Sequence, residues 1–169
     1  MKKLKIWTIA VLAISLITVS CKDEEATTTT PPVVEKVGIQ GEWASSGSNV
    51  APILVALFGT DSIYANFETN MSYTVEQFDT NGTKLTLSGV YTQTKSSEGD
   101  IYTIEVNQSS PAALVSEGIF EVSGSTMRYE IVQTSPDIGA IPPTPAGGFG
   151  STNGGALGNI NIQVYQKID

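Results

Sequence analysis

From about residue 38 onward, apolar and polar residues alternate in short runs with turn residues between them. This period of two marks strands with one buried and one wet face. "SIYANFE" places Ile63, Ala65 and Phe67 on one side, and "MSYTVEQF" does the same for Tyr73 and Val75. "FDTNGTK" supplies a hairpin turn at Asn81-Gly82, a pair that accepts the positive φ values tight hairpins need. "KLTLSGVYTQT" aligns Leu85, Leu87 and Tyr91, with Gly89 marking a bulge or bend. "IYTIEV" aligns Tyr102, Ile104 and Val106. "GIFEVSGSTMRYEIVQ" reads as a hairpin turning at Ser123-Gly124-Ser125, with Met127, Tyr129 and Ile131 on one face. In the closing "INIQVYQKI" the apolar side is Ile160, Ile162, Val164 and Ile168. With "GIQGEWA" at the start, the pattern predicts about eight strands, as in a small barrel or a sandwich.

Two stretches break the alternation. "NVAPILVALFG" (49–59) is almost wholly apolar, with Ile53, Leu54, Leu57 and Phe58 at helical spacing. Asn49 is placed to cap it, Pro52 suits a first turn and Gly59 an end. It reads as a short helix over one end of the barrel, a buried strand being the alternative over so short a run. "PDIGAIPPTPAGGFGSTNGGALGN" (136–159) is Pro- and Gly-rich and too long for an ordinary hairpin loop, so it is either mobile or a lid. Its glycines lack the GK[ST] and the following helix that a phosphate site requires.

Composition agrees with an all-β chain. Only 15% of the 169 residues are charged, and 16 Gly and 8 Pro supply turns. The first residues, "MKKLK" followed by the 14-residue apolar run "IWTIAVLAISLITV", read as a secretory leader, since a membrane span needs about 20 apolar residues. Removing residues 1–20 takes three of nine bases and none of 17 acids, leaving six against 17 and a net charge of −11. Such a surface repels phosphate backbones, so no nucleic-acid partner is expected. "ATTTTPPVVEK" (26–36) reads as an extended tether. The expected organisation is a leader at 1–20, a tether at 21–37 and one folded domain at 38–169.

Cys21 is the only cysteine. "ITVSC" resembles the lipobox of bacterial lipoproteins, with Ser20 and Val19 before the cysteine and Thr18 where leucine is usual. The resemblance implies that Cys21 is lipidated and holds the chain on a membrane, since more than one acyl chain gives stable anchoring. The following "KDEE" resembles the export signal of Bacteroidetes-type lipoproteins. It implies an outer-membrane location facing the cell surface; read from the residues alone, it is a solvated charge run opening the tether.

Gly41-Glu42-Trp43 heads the first strand. A G-x-W followed by a strand meander resembles the lipocalin-like domains of bacterial lipoproteins. That resemblance implies an antiparallel eight-stranded up-and-down barrel with one short helix. It also implies that Trp43 packs across the closed end under a basic side chain, for which Lys167 and Arg128, the only arginine, are the candidates. On the residues alone, Trp43 is a core residue of a β-fold. Such a barrel holds one small apolar or amphipathic ligand, or is filled by side chains and serves as a protein- or glycan-interaction subunit of the envelope. Phe58, Tyr73, Tyr91, Tyr102 and Tyr129 are the candidate ligand-lining residues. With no histidine, and with its one cysteine outside the domain, the chain lacks Ser-His-Asp, Cys-His and the usual zinc and copper ligand sets. "DTNG" (79–82) is too short for a calcium loop. No enzyme activity, metal or cofactor is expected.

Overall fold

The computed structural model describes residues 36–168; the leader, Cys21 and nearly all of the tether lie outside the described residues. Eight strands run in chain order around a closed antiparallel barrel. They are β1 (Gly41–Ser46), β2 (Thr60–Phe67), β3 (Ser72–Asp79), β4 (Lys84–Lys95), β5 (Ile101–Ser110), β6 (Leu114–Ser123), β7 (Thr126–Ser135) and β8 (Gln163–Lys167). Closure pairs every strand on both sides, although the short β8 covers β7 only over Thr126–Tyr129. The up-and-down barrel with one helix is the architecture the G-x-W resemblance implies, and the alternation leaves it open against a sandwich.

Most inward faces are those the alternation marks. Ile63, Ala65, Phe67, Tyr73, Tyr91, Ile104, Val106, Met127 and Tyr129 are buried, while Leu85, at the rim, is 44% exposed. The β3–β4 hairpin turns at Asn81-Gly82 because Asp79 Oδ1 accepts the N–H groups of Asn81 and Thr83, each at 2.8 Å. Those amides, Thr83 first, hold the Asp79 carboxyl below the usual carboxylate range. Gly89 sits where the β4–β5 register slips. A Cβ there would stand 2.0 Å from the Asn107 carbonyl oxygen, so only glycine allows this approach.

The last strand corrects the sequence reading. Of the residues expected inside, Ile162 is buried, but Ile160 and Ile168 are exposed and Val164 only half-buried, whereas Gln163 and Tyr165 are buried. A 3-10 turn at Gly158–Asn161 delivers the chain to β8 one residue out of the expected phase. The inward positions are therefore Gln163, Tyr165 and Lys167.

Helix α1 (Pro52–Phe58) replaces the buried-strand alternative. Ala51 and not Asn49 occupies its N-cap, and Asn49 belongs to a 3-10 turn at Gly47–Asn49. Pro52 opens the helix, and Gly59, at φ 63°, ends it by donating its N–H to Val55 O. The segment after β7 packs against the outer wall. It buries Pro143 and Thr152 together with Ile119 and Glu130, which point outward from β6 and β7.

Candidate functional site

The barrel interior holds most of the residues expected to line a ligand chamber, and they pack on one another. The Phe67 ring lies 5.3 Å from Tyr91, 6.1 Å from Tyr73 and 6.4 Å from Tyr129, centre to centre. Tyr129 meets Tyr165 edge-on at 6.1 Å, and Tyr102 stacks on Phe120 at 4.9 Å. Aromatic pairs at these separations contribute about 0.5–1.5 kcal/mol each beyond area burial. Tyr91 Oη donates to the Glu68 carbonyl oxygen at 2.9 Å. Burial pushes the Tyr73 phenol up to about 12 and raises Tyr91, Tyr129 and Tyr165 as well. These side chains form a neutral, interlocked core. Phe67 and Tyr165 complete it; Phe67 was marked from sequence only as inward-facing, and Tyr165 was hidden by the phase slip in β8.

The two ends of the barrel are built differently. At the end where β1 begins, Trp43 is fully buried and its Nε1 donates to the Ile39 carbonyl oxygen at 2.8 Å. Gln93 Oε1 accepts Ile39 N–H at 3.0 Å while its Nε2 donates to Val37 O at 3.0 Å. Residues 37–40 are thus stitched across this end. Lys167 Nζ lies over the Trp43 ring at 5.5 Å. Arg128, the other candidate for that place, points outward, and its guanidinium lies 4.1 Å from the centre of the Phe149 ring.

At the opposite end, α1 is held by a polar set. Gln163 Oε1 accepts Ala51 N–H at 2.7 Å, and Gln163 Nε2 donates to Ser45 Oγ. Thr60 Oγ1 donates to Leu54 O at 3.2 Å and accepts Gln77 Nε2 at 2.7 Å. Only Leu54 of this helix packs against the core. Val55, Leu57 and Phe58 are 44%, 67% and 61% exposed, so Phe58 lines no chamber and faces solvent. Beside the helix C-terminus, where Thr80 N–H donates to Gly59 O, lies a shallow hollow of about 470 Å³. Its border includes Tyr64, Phe78, Asp61 and Asp79, and the two rings meet edge-on at 5.9 Å.

The third feature is on the outer wall. Glu130 is fully buried there, and its carboxylate accepts Gly150 N–H at 2.6 Å, Thr152 N–H at 3.2 Å and the Thr152 hydroxyl. Asn161 Nδ2 adds a bond to Ile131 O at 3.0 Å, and Ile141 and Asn153 bond reciprocally within the segment. The strap from 136 to 162 is thereby clamped to β7. Its Pro142–Pro145 run forms one side of a groove of about 340 Å³ over the outer faces of β4, β5 and β6. Sequence reading missed this clamp: a single glutamate in "MRYEIV" resembles any solvated outward residue, and its partners are backbone amides 20 and 22 positions away.

No family model, no curated protein and no solved structure matches this chain.

Proposed function

We propose that the chain is a lipid-anchored protein of the outer membrane, held through Cys21 and facing the cell surface. In this reading its lipocalin-like barrel is filled by side chains and works as a non-catalytic interaction subunit, presenting the α1 end to a partner protein. The observation that carries the reading is that α1 consists of seven apolar residues, none of them buried, in a domain that has a core available. A helix apolar on all sides is normally covered. It lies at the barrel end opposite Lys36, the end from which the tether would lead to the membrane. Asp61 and Asp79 flank the exposed rings, so the complementary surface is an apolar recess with a basic rim.

A photo-reactive residue at position 58 is expected to cross-link one envelope protein in cells, and Leu57→Asp to abolish the cross-link without lowering thermal stability. Equal capture from Ser97, at the other end, would defeat the assignment. Cys21→Ala is expected to move the protein to the soluble fraction; continued fatty-acid labelling of that variant would remove the anchor from the reading. The second reading, one small apolar ligand inside the barrel, draws on the capacity of eight-stranded barrels for such a ligand. It requires a bound molecule to displace part of the Phe67 cluster. Native mass spectrometry of the protein from cell extract separates the two: a reproducible bound mass favours the ligand.

A further inference from the structure

We infer that the barrel end from which the tether leaves is itself a membrane contact, with Val37, Met71, Val90 and Ile168 entering the lipid interface. The inference rests on the Cys21 anchor proposed above. All four side chains are exposed, and each is fixed to this end. Val37 O accepts Gln93 Nε2 at 3.0 Å. Met71 lies in the turn from β2 to β3, where its carbonyl oxygen accepts Tyr91 N–H at 2.9 Å. Val90 adjoins that bond, opposite Ser72 in the β3–β4 register. Ile168 follows β8 and donates its N–H to the Glu42 carbonyl oxygen of β1 at 3.0 Å. The remaining turns at this end, "SSEGD" (96–100) and "SGS" (123–125), hold no large apolar residue. The contact is therefore one-sided, and the barrel leans on it.

Met71 separates this patch from apolar residues scattered over a surface. Its φ is 67°, in the left-handed region where a side chain is strained and where Gly or Asn sits more easily. Among the described residues only Asn153 shares such a φ without being glycine. Asn153 has a structural reason, since its side chain accepts Ile141 N–H. The Met71 side chain is exposed and takes no part in the core. Strain kept at an exposed apolar side chain points to a use for that side chain outside the domain.

The membrane is the surface that the anchor brings to this end. Residues 22–35 separate Cys21 from Lys36, a reach of at most about 50 Å. Confined that closely, even a weak apolar contact is populated. Lys36 precedes Val37 and Lys167 precedes Ile168. Lysines so placed lay their stems along apolar surface and leave their ammonium groups among lipid phosphates. The flexible thioether of Met71 adapts to an irregular surface.

The test uses the protein purified from membranes, with Met, Ile, Leu and Val methyls labelled. It is placed in nanodiscs of phosphatidylethanolamine with a minor fraction of phosphatidylglycerol, doped with a lipid bearing a nitroxide near its carbonyl groups. The Met71, Val37, Val90 and Ile168 methyls are expected to broaden, and those of Leu57 and the buried Met127 to stay sharp. Met71→Gly should keep or raise the melting temperature, because it relieves the backbone, yet weaken broadening at Val37 and Ile168 at least about twofold. The Val37→Glu/Ile168→Glu pair should abolish the Met71 broadening with the core spectrum unchanged. A Met71 methyl no broader than those of Leu57, or full broadening at the rim in either variant, would overturn the assignment. A protein without a lipid on Cys21 would remove the anchor alone. Nanodiscs titrated into that protein would still broaden Met71 if the rim meets lipid, and leave it sharp if the rim does not.

Discussion

Lys167 holds its ammonium 5.5 Å from the centre of the Trp43 ring, from the register position directly opposite Trp43 on the neighbouring strand. β8 pairs with β1 over only two register positions, Trp43 with Lys167 and Ala44 with Gln166. The contact therefore lies on the seam that closes the barrel. Lys167→Met keeps the stem and removes the charge; it is expected to cost about 0.5–2 kcal/mol in urea unfolding followed by circular dichroism, with Lys167→Arg near wild type. A methionine variant as stable as wild type would show that packing alone holds the seam.

Phe67 touches three tyrosines, so its removal should open a large hole in this core. Phe67→Ala is expected to destabilise by about 3–5 kcal/mol. The milder Phe67→Leu should remain folded and take up xenon or benzene, as apolar cavities do. Uptake by the wild-type protein as well would show that the interior already holds accessible space.

Glu130 accepts three donors from the strap, so its loss leaves buried N–H groups unmatched at about 1–3 kcal/mol each. Glu130→Ala should lower the urea midpoint and speed amide exchange at Gly150 and Thr152, while amides of β2 and β3 keep their protection. Glu130→Gln turns one acceptor into a donor facing N–H groups, and an intermediate loss is expected. Uniform loss of protection across the barrel would mean that the strap and barrel open as one unit.

The buried phenols make stability depend on alkaline pH. Tyr73 is raised to about 12, and Tyr91, Tyr129 and Tyr165 are raised in the same direction. Each holds its proton more tightly folded than unfolded, so its contribution is complete below about pH 10 and declines as pH climbs toward the folded value. Absorbance at 295 nm should show these four tyrosines ionising together with unfolding above pH 10; smooth titration of all six before any loss of structure would contradict the packing.

Strand faces from β2 to β7 were legible because each strand is wet on one side, so a period of two survives in "SIYANFE" and "IYTIEV". β8 was not: its inward face is Gln163, Tyr165 and Lys167, more polar than the isoleucines around it. Those polar groups are inside because Ala51 N–H, Ser45 Oγ and the Trp43 ring need partners there, and such needs are visible only once the strands meet. The helix at 52–58 was legible from Pro52 and Gly59, but its exposure was not, since an apolar run carries no sign of what covers it. The Glu130 clamp escaped because glycine and threonine amides have no signature in sequence.

The path of residues 37–40 has a mechanical consequence. In the proposed arrangement, a pull from the N-terminal side would enter at Lys36 and run along β1 toward a partner at α1. Loaded in this direction, the hydrogen bonds from β1 to β2 and the Gln93 and Trp43 stitches share the force as a shear joint and do not peel one at a time. Under the proposed anchoring, the barrel would serve as a link under tension between the membrane and a partner at α1.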